Sequence, residues 1–248
     1  VFRALSAGAI DVMGFVSSLN DIDSWEIELR QTIISIIDSK KESDEKLVRN
    51  ISKPKSGTTT TIKRKIDALG IAISTGGPKA LAYVFSRLSK DVEIPIFISQ
   101  HIGVGFVENL AYWLNEVCPL NVCVASDGQN ITAGNVYIAP DGFHLIVTEN
   151  NQIKLSDDEP LNGFKPSGDR MLESIAECYG AKSAGLIMTG MGRDGCHGMH
   201  KIKESGGFTM AQDEDSSLVF GMPKCAIDSG VIEQVLGLKD IPGFLNGL

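Results

Sequence analysis

The sequence predicts an α/β fold, a doubly wound and mainly parallel sheet with an inserted β-hairpin. Three observations lead there. From Lys65 onward short apolar runs alternate with stretches of helical spacing, the pattern of βαβ units. Several of those runs end on a polar residue, and the first is followed by Thr75, Gly76, Gly77 and Pro78, as a buried strand is when it breaks into a turn and then a helix. In the middle of the chain the alternation gives way to two short strands joined at Asn150-Asn151, a hairpin signal.

Taken in order, the strand at residues 66–73 runs into Ser74-Thr75-Gly76-Gly77-Pro78, where glycine and proline open a helix near 79–88. A second strand at 94–99 ends in Gln100-His101 and precedes a helix near 106–116. Strands at 121–125 and 135–138 follow, and then the hairpin at 144–149 and 152–155. The periodicity then predicts a helix near 169–179, a strand at 183–188, a helix near 198–204, a strand at 207–211 and a last element at 223–228.

Ahead of this region, residues 1–22 read as a helix end closed by Gly8 and a short strand, too little for a domain. Between Asp23 and Val48 apolar residues recur at helical spacing, Trp25, Ile27, Leu29, Ile33, Ile36 and Ile37 among mixed charges, which predicts an amphipathic connecting or docking helix. Residues 52–61, Ser-Lys-Pro-Lys-Ser-Gly and four threonines, have no apolar period and read as a flexible linker. The chain thus divides into residues 1–22, a connecting helix and linker at 23–64, and a principal domain at 65–248.

Composition narrows the function. A hydrophobic fraction of 43% is that of an ordinary globular protein, and a formal net charge of −8 argues against a nucleic-acid partner. With no run of 18 apolar residues and no signal-peptide pattern, neither membrane insertion nor export is expected. Five scattered cysteines without a Cys-x-x-Cys pair read as reduced thiols of a cytoplasmic protein, Cys196 as a small buried one. His197 and His200 share a helical spacing but supply too few ligands for zinc, so no metal is expected, nor any cofactor.

The chemistry concentrates at strand ends. Strand ends of one parallel sheet converge on one edge, so Ser74, His101 and Asp194, each just beyond an apolar run, can meet there as nucleophile, base and orienting acid. Alone, each has a plainer reading. A serine before glycines suits a helix N-cap or a phosphate-cradling turn, and Asp194-Gly195 suits a loop turn. The nucleotide alternative lacks its companions, since neither Gly-x-Gly-x-x-Gly nor a phosphate loop with Lys-Ser/Thr is present.

Five motifs then occur in a fixed order: Ile73-Ser74-Thr75-Gly76-Gly77-Pro78; Ser99-Gln100-His101; Val136-Tyr137-Ile138-Ala139-Pro140; Met188-Thr189-Gly190-Met191-Gly192-Arg193-Asp194-Gly195; and Ala211-Gln212-Asp213-Glu214 with Val219-Phe220-Gly221-Met222-Pro223. This series resembles CheB, the protein-glutamate methylesterase of bacterial chemotaxis. The resemblance spans roughly residues 66–236. It implies a serine hydrolase that removes methyl esters from chemoreceptor glutamates and also deamidates receptor glutamines, with Ser74, His101 and Asp194 as its triad. Backbone N–H groups at Thr75-Gly76 and at Met191 are then the expected oxyanion donors.

Pro166-Ser167-Gly168-Asp169 stands where that family commonly has Pro-Ser-Val-Asp. Ala7-Gly8-Ala9-Ile10-Asp11 is similar to the tail of a receiver domain, although Phe15-Val16 replaces the usual Lys-Pro. The implied partners are the cytoplasmic parts of methyl-accepting chemoreceptors and, through the receiver of a longer parent protein, a histidine kinase. A non-catalytic phosphate- or nucleotide-binding module, or a signalling scaffold, is the alternative.

Overall fold

Residues 65–248 are described by the computed structural model, together with six helical positions before them, Glu26, Leu29, Arg30, Ile33, Ile34 and Ile37. The expectations for residues 1–22 and for the linker lie outside the described residues, and the helix expected at 23–48 is described only at those six. From there the order is β1 (Ala68–Ile73), α1 (Gly77–Phe85), β2 (Ile96–Gln100), α2 (Val107–Val117), β3 (Asn121–Val124), β4 (Asn135–Ile138), β5 (His144–Val147), β6 (Ile153–Ser156), α3 (Gly168–Tyr179), β7 (Ser183–Ile187), α4 (Cys196–Glu204), β8 (Phe208–Gln212), α5 (Met222–Asp228), β9 (Gln234–Leu236) and α6 (Ile241–Leu245).

Seven strands pair in the order β3-β4-β2-β1-β7-β8-β9, and every pairing among them is parallel. The hairpin expected from sequence is a separate two-stranded antiparallel sheet of β5 and β6, with Asn151 in its turn at φ 58°. A short polar side chain tolerates that left-handed conformation better than a bulky one.

β1 is central, and its alternation sets the layers. Leu69, Ile71 and Ile73 face the core formed with Leu81, Val84 and Phe85 of α1, Leu110 and Leu114 of α2, and Phe244 of α6. Ala68 and Ala72 face the opposite core, with Leu172 and Ile175 of α3, Met199 and Ile202 of α4, Met222 of α5 and Leu145 of the hairpin. Helices cover both faces, which is the doubly wound arrangement. On the α3 face of β1 the residues are small for a reason: a Cβ at Gly70 would fall 2.6 Å from Leu172 Cδ2 and 2.8 Å from Ile175 Cδ1.

Two elements were not anticipated. β9 is three residues long at the sheet edge and carries no apolar run, so periodicity has nothing to register. Within α6, Pro242 and Gly243 read as breakers, yet proline at the start of a helix gives up only an N–H that has no intrahelical partner. For the same reason α1 starts at Gly77, ahead of the expected residue 79, with Pro78 in its first turn.

The close α3–β1 contact predicts that Gly70→Val, which inserts a branched side chain where one Cβ already collides, lowers unfolding free energy by about 1–3 kcal/mol in urea denaturation.

Candidate active site

Because β2, β1 and β7 are neighbours, their carboxyl ends lie side by side, and the loops carrying His101, Ser74 and Asp194 leave from adjacent strands. The ladder continues up to the site: the His101 N–H donates to Ile73 O at 3.1 Å, and the Ser74 N–H donates to Thr189 O at 3.0 Å. Gln100, buried beneath them, donates from one Nε2 to Ser74 O at 3.0 Å and to His101 O at 2.7 Å. Serine and histidine are therefore held by one amide side chain as well as by the sheet.

Asp194 is fully buried, at 0% exposure, and accepts four hydrogen bonds. Oδ2 receives the His101 Nε2–H at 2.8 Å and the Gly168 N–H at 2.6 Å. Oδ1 receives Ser167 Oγ–H at 2.8 Å and the Asp169 N–H at 3.1 Å. Three of these donors belong to the amino end of α3, where free N–H groups and the helix dipole favour an anion. Burial pushes the Asp194 carboxyl up, but the hydrogen bond and charge of His101, the Gly168 N–H and the Ser167 hydroxyl together hold it below the usual carboxylate range.

An ionised Asp194 only accepts, so the proton between it and His101 sits on Nε2, and Nδ1 carries the lone pair. That Nδ1 is buried and has no hydrogen-bond partner. The two ring nitrogens are thus used the other way round from the Ser-His-Asp template, in which the acid holds Nδ1. The imidazole lies flat on Phe164, with ring centroids 4.3 Å apart and planes 7° from parallel.

The loop after β7 runs directly against the serine. A Cβ at Gly190 would come within 2.8 Å of Ser74 Cβ, so only glycine lets the loop pass there. Met191 follows at once. Thr189 Oγ1 donates to Thr75 O at 3.0 Å and accepts the Val219 N–H at 3.0 Å, which ties the serine turn to the loop after β8. Gly76 takes φ +77° as the residue preceding α1, a conformation that glycine adopts without penalty.

The structure thus joins His101 to Asp194 directly and sets Ser74 on the adjoining strand end, but no hydrogen bond links Ser74 Oγ to His101. Thr75 and Gly76 form the turn behind the serine, and Met191 lies on the loop in front. Among the described residues no group of three or more His, Cys, Asp or Glu side chains is arranged to hold a metal ion. Cys196 is half-buried rather than buried, because the first residue of α4 borders the solvent edge of the core. Its thiol is pushed up to about 12 by burial and then by Cys225, which leaves it protonated and poorly nucleophilic.

Sequence reasoning missed Ser167, Gln100 and Phe164. A serine before a helix signals an N-cap, and Ser167 Oγ does accept from Arg170 N at 3.4 Å, but that signal does not disclose a bond to Asp194. His144, at the start of β5, has no sequence signal that marks its role. It is buried, accepts the Ser167 N–H on Nδ1 at 3.2 Å and donates from Nε2 to Glu159 O at 3.2 Å, so its ring is fixed at both nitrogens and one of them supports the residue that holds Asp194.

A fold with helices on both faces of a parallel sheet, and a serine, an imidazole and a buried carboxylate at its carboxyl edge, carries the residue types that serine hydrolases combine. The family model described as CheB methylesterase matches residues 69–245. The chain is 37% identical over 243 residues to protein-glutamate methylesterase/protein-glutamine glutaminase 3 of Myxococcus xanthus, covering 97% of this chain and 66% of that protein. It is 44% identical over 181 residues to the protein-glutamate methylesterase/protein-glutamine glutaminase of group 3 operon of Rhizobium meliloti, covering 73% of this chain and 51% of that protein. The crystal structure of the Thermotoga maritima CheB methylesterase catalytic domain superposes with a TM-score of 0.71 at 37% identity, covering 74% of this chain and 98% of that one. The chain belongs to the CheB methylesterase family. It spans between about half and two thirds of the length of these two curated relatives.

A carboxylate held below its ordinary range stabilises the fold at all pH values above its unfolded value, and that contribution is lost as the pH falls through the folded one. Asp194→Asn places an amide N–H among donors, so it should lower unfolding free energy at pH 7 by about 2–4 kcal/mol. The difference from wild type should begin to shrink as the pH falls below about 4, where the unfolded carboxyl takes up its proton, and shrink further as the folded carboxyl is protonated at lower pH, as read from denaturation curves across pH.

Proposed function

We propose that residues 65–248 are the catalytic domain of a protein-glutamate methylesterase that also hydrolyses glutamine side-chain amides, acting on methyl-accepting chemoreceptors. The observation that carries this reading is the unpartnered, buried Nδ1 of His101, backed by an ionised Asp194 at the strand end next to Ser74. The activity is the one for which the relatives are named, and the chain shares their family.

Ser74 Oγ attacks the γ-carbonyl carbon of a methylated glutamate while its proton passes to His101 Nδ1. Asp194 stabilises the resulting imidazolium through Nε2–H. Collapse of the tetrahedral intermediate breaks the ester C–O bond, and the Nδ1 proton leaves with methoxide as methanol. Water then repeats the attack on the acyl-enzyme, giving its proton to Nδ1, and Ser74 departs to leave glutamate. With glutamine the leaving group is ammonia. Backbone N–H groups of the Thr75-Gly76 turn and of Met191 are assigned to the oxyanion, since both segments border Ser74 and the first leads into the amino end of α1.

Residues 1–22 are assigned to the end of a receiver domain and 23–64 to its connection, in a longer cytoplasmic parent that receives phosphoryl groups from a histidine kinase. Neither a nucleotide module nor a scaffold calls for a buried His–Asp pair, so the hydrolase reading is preferred.

Methanol release from methylated receptor membranes tests the activity. Ser74→Ala and His101→Ala should each lower kcat by on the order of 10⁴, with the double variant scarcely worse than either, because the residues act as a unit. Additive losses would count against the triad.

A further inference from the structure

The segment between the hairpin and α3 carries two contacts to the site. Its far end, Ser167 to Asp169, supplies the donors that hold Asp194. Three residues earlier, Phe164 lies flat on the His101 ring. Phe164 is placed by a tight two-residue turn, in which Leu161 N donates to Phe164 O at 3.1 Å and Phe164 N to Leu161 O at 3.0 Å. The central residues of that turn, Asn162 and Gly163, have φ values of 54° and 85°, as a type I′ turn demands. Next along the chain, Lys165 Nζ is clamped to Asp157 Oδ1 at 2.6 Å and to its carbonyl at 3.1 Å. Both sides of the aromatic residue are therefore anchored.

The His101 ring needs such a partner. Among the described residues its ring is hydrogen-bonded only at Nε2, and a ring held at one atom can pivot about that bond or turn over about Cβ–Cγ. Either motion moves Nδ1 from its resting place. An imidazole can turn over only by passing through a plane perpendicular to its resting one, and a parallel ring at 4.3 Å occupies the space that this requires.

We propose that Phe164 is a positioning residue for the hydrolytic reaction, an aromatic plate that keeps His101 oriented with Nε2 toward Asp194 and Nδ1 toward Ser74. The proposal rests on the reading of Ser74 and His101 as nucleophile and base. It goes beyond that reading by assigning the orientation of the base to a residue outside the triad. Its action is on the imidazole, so its removal should affect turnover rather than substrate binding.

The experiment uses the 248-residue chain as wild type, Phe164→Ala and Phe164→Tyr. A fluorophosphonate probe reports the serine directly: the Ser74 Oγ–P bond forms, the P–F bond breaks, fluoride leaves, and the serine proton passes through His101 to solvent. Phe164→Ala should slow labelling and lower kcat for methanol release by roughly tenfold to a hundredfold, with KM changed by less than about threefold, as a misplaced catalytic group does. Phe164→Tyr, which keeps the plate, should restore both rates to within about threefold of wild type. The downfield proton resonance of the His101 Nε2–H···Asp194 bond should be sharp in wild type and Phe164→Tyr, and broadened in Phe164→Ala.

Wild-type labelling rates in Phe164→Ala would overturn the inference. So would a loss that falls on KM alone, which would make Phe164 a substrate contact, or an equal loss in both variants with the Nε2 proton still sharp. If the wild-type serine is not labelled at all, the assignment of Ser74 fails first, and this inference with it.

Discussion

A single buried carboxylate organises this molecule. Asp194 sits at the amino end of α3 and accepts from Ser167 Oγ and from the Gly168 and Asp169 N–H groups, while Asp169 returns the arrangement by accepting the Gly198 N–H at the start of α4 at 2.8 Å. Each of two adjacent helices is thus capped by an acid from the other's amino-terminal region. The pair is electrostatically unequal. Burial and then the neighbouring Asp194 charge push the Asp169 carboxyl up against the lowering bond from Gly198, whereas Asp194 is held down. A buried charge is tolerated only when paired and hydrogen-bonded, and Asp194 meets both conditions through groups that the helix end leaves unpaired in any case.

That arrangement sets the packing requirements around it. For the end of α3 to reach Asp194 it must pass close over β1, and the residues at the crossing are small. A Cβ at Gly168 or at Gly195 would each fall 2.8 Å from Ala72 Cβ. Gly198 is equally confined: a Cβ there would fall 2.6 Å from Leu172 Cβ and 3.0 Å from Asp169 O. Glycine and alanine here are consequences of the carboxylate's position, since any larger side chain would lift the helix and its donors away from it.

The serine side of the site is held by amide and hydroxyl side chains that reach across strand ends. Gln212, fully buried at the end of β8, accepts the Thr189 N–H at 2.9 Å and donates to Ser216 O at 2.8 Å. Thr189 passes the constraint to Thr75, and Gln100 fixes the carbonyls of Ser74 and His101. Loops on a rigid scaffold usually gain mobility from their exposed backbone; here buried polar side chains satisfy that backbone, so Ser74, Thr75 and His101 are held by the fold itself.

The sequence by itself determined what depends on near neighbours: the strand periods, the glycine and proline turns after β1, the hairpin, and the placing of Ser74, His101 and Asp194 at strand ends. Those signals are local because dihedral preference and side-chain alternation act over a few residues. The motif series extended that reading to an expected site. Only the tertiary structure decided which ring nitrogen of His101 faces Asp194, that Ser167 gives its hydroxyl to that acid, that Phe164 lies on the imidazole, and that Gln100 ties serine to histidine. Those contacts join positions far apart in the chain through the register of parallel strands and the approach of α3, neither of which any short segment encodes. A serine reads as a cap, a phenylalanine as core and a glutamine as a polar strand end until packing brings each one to its partner.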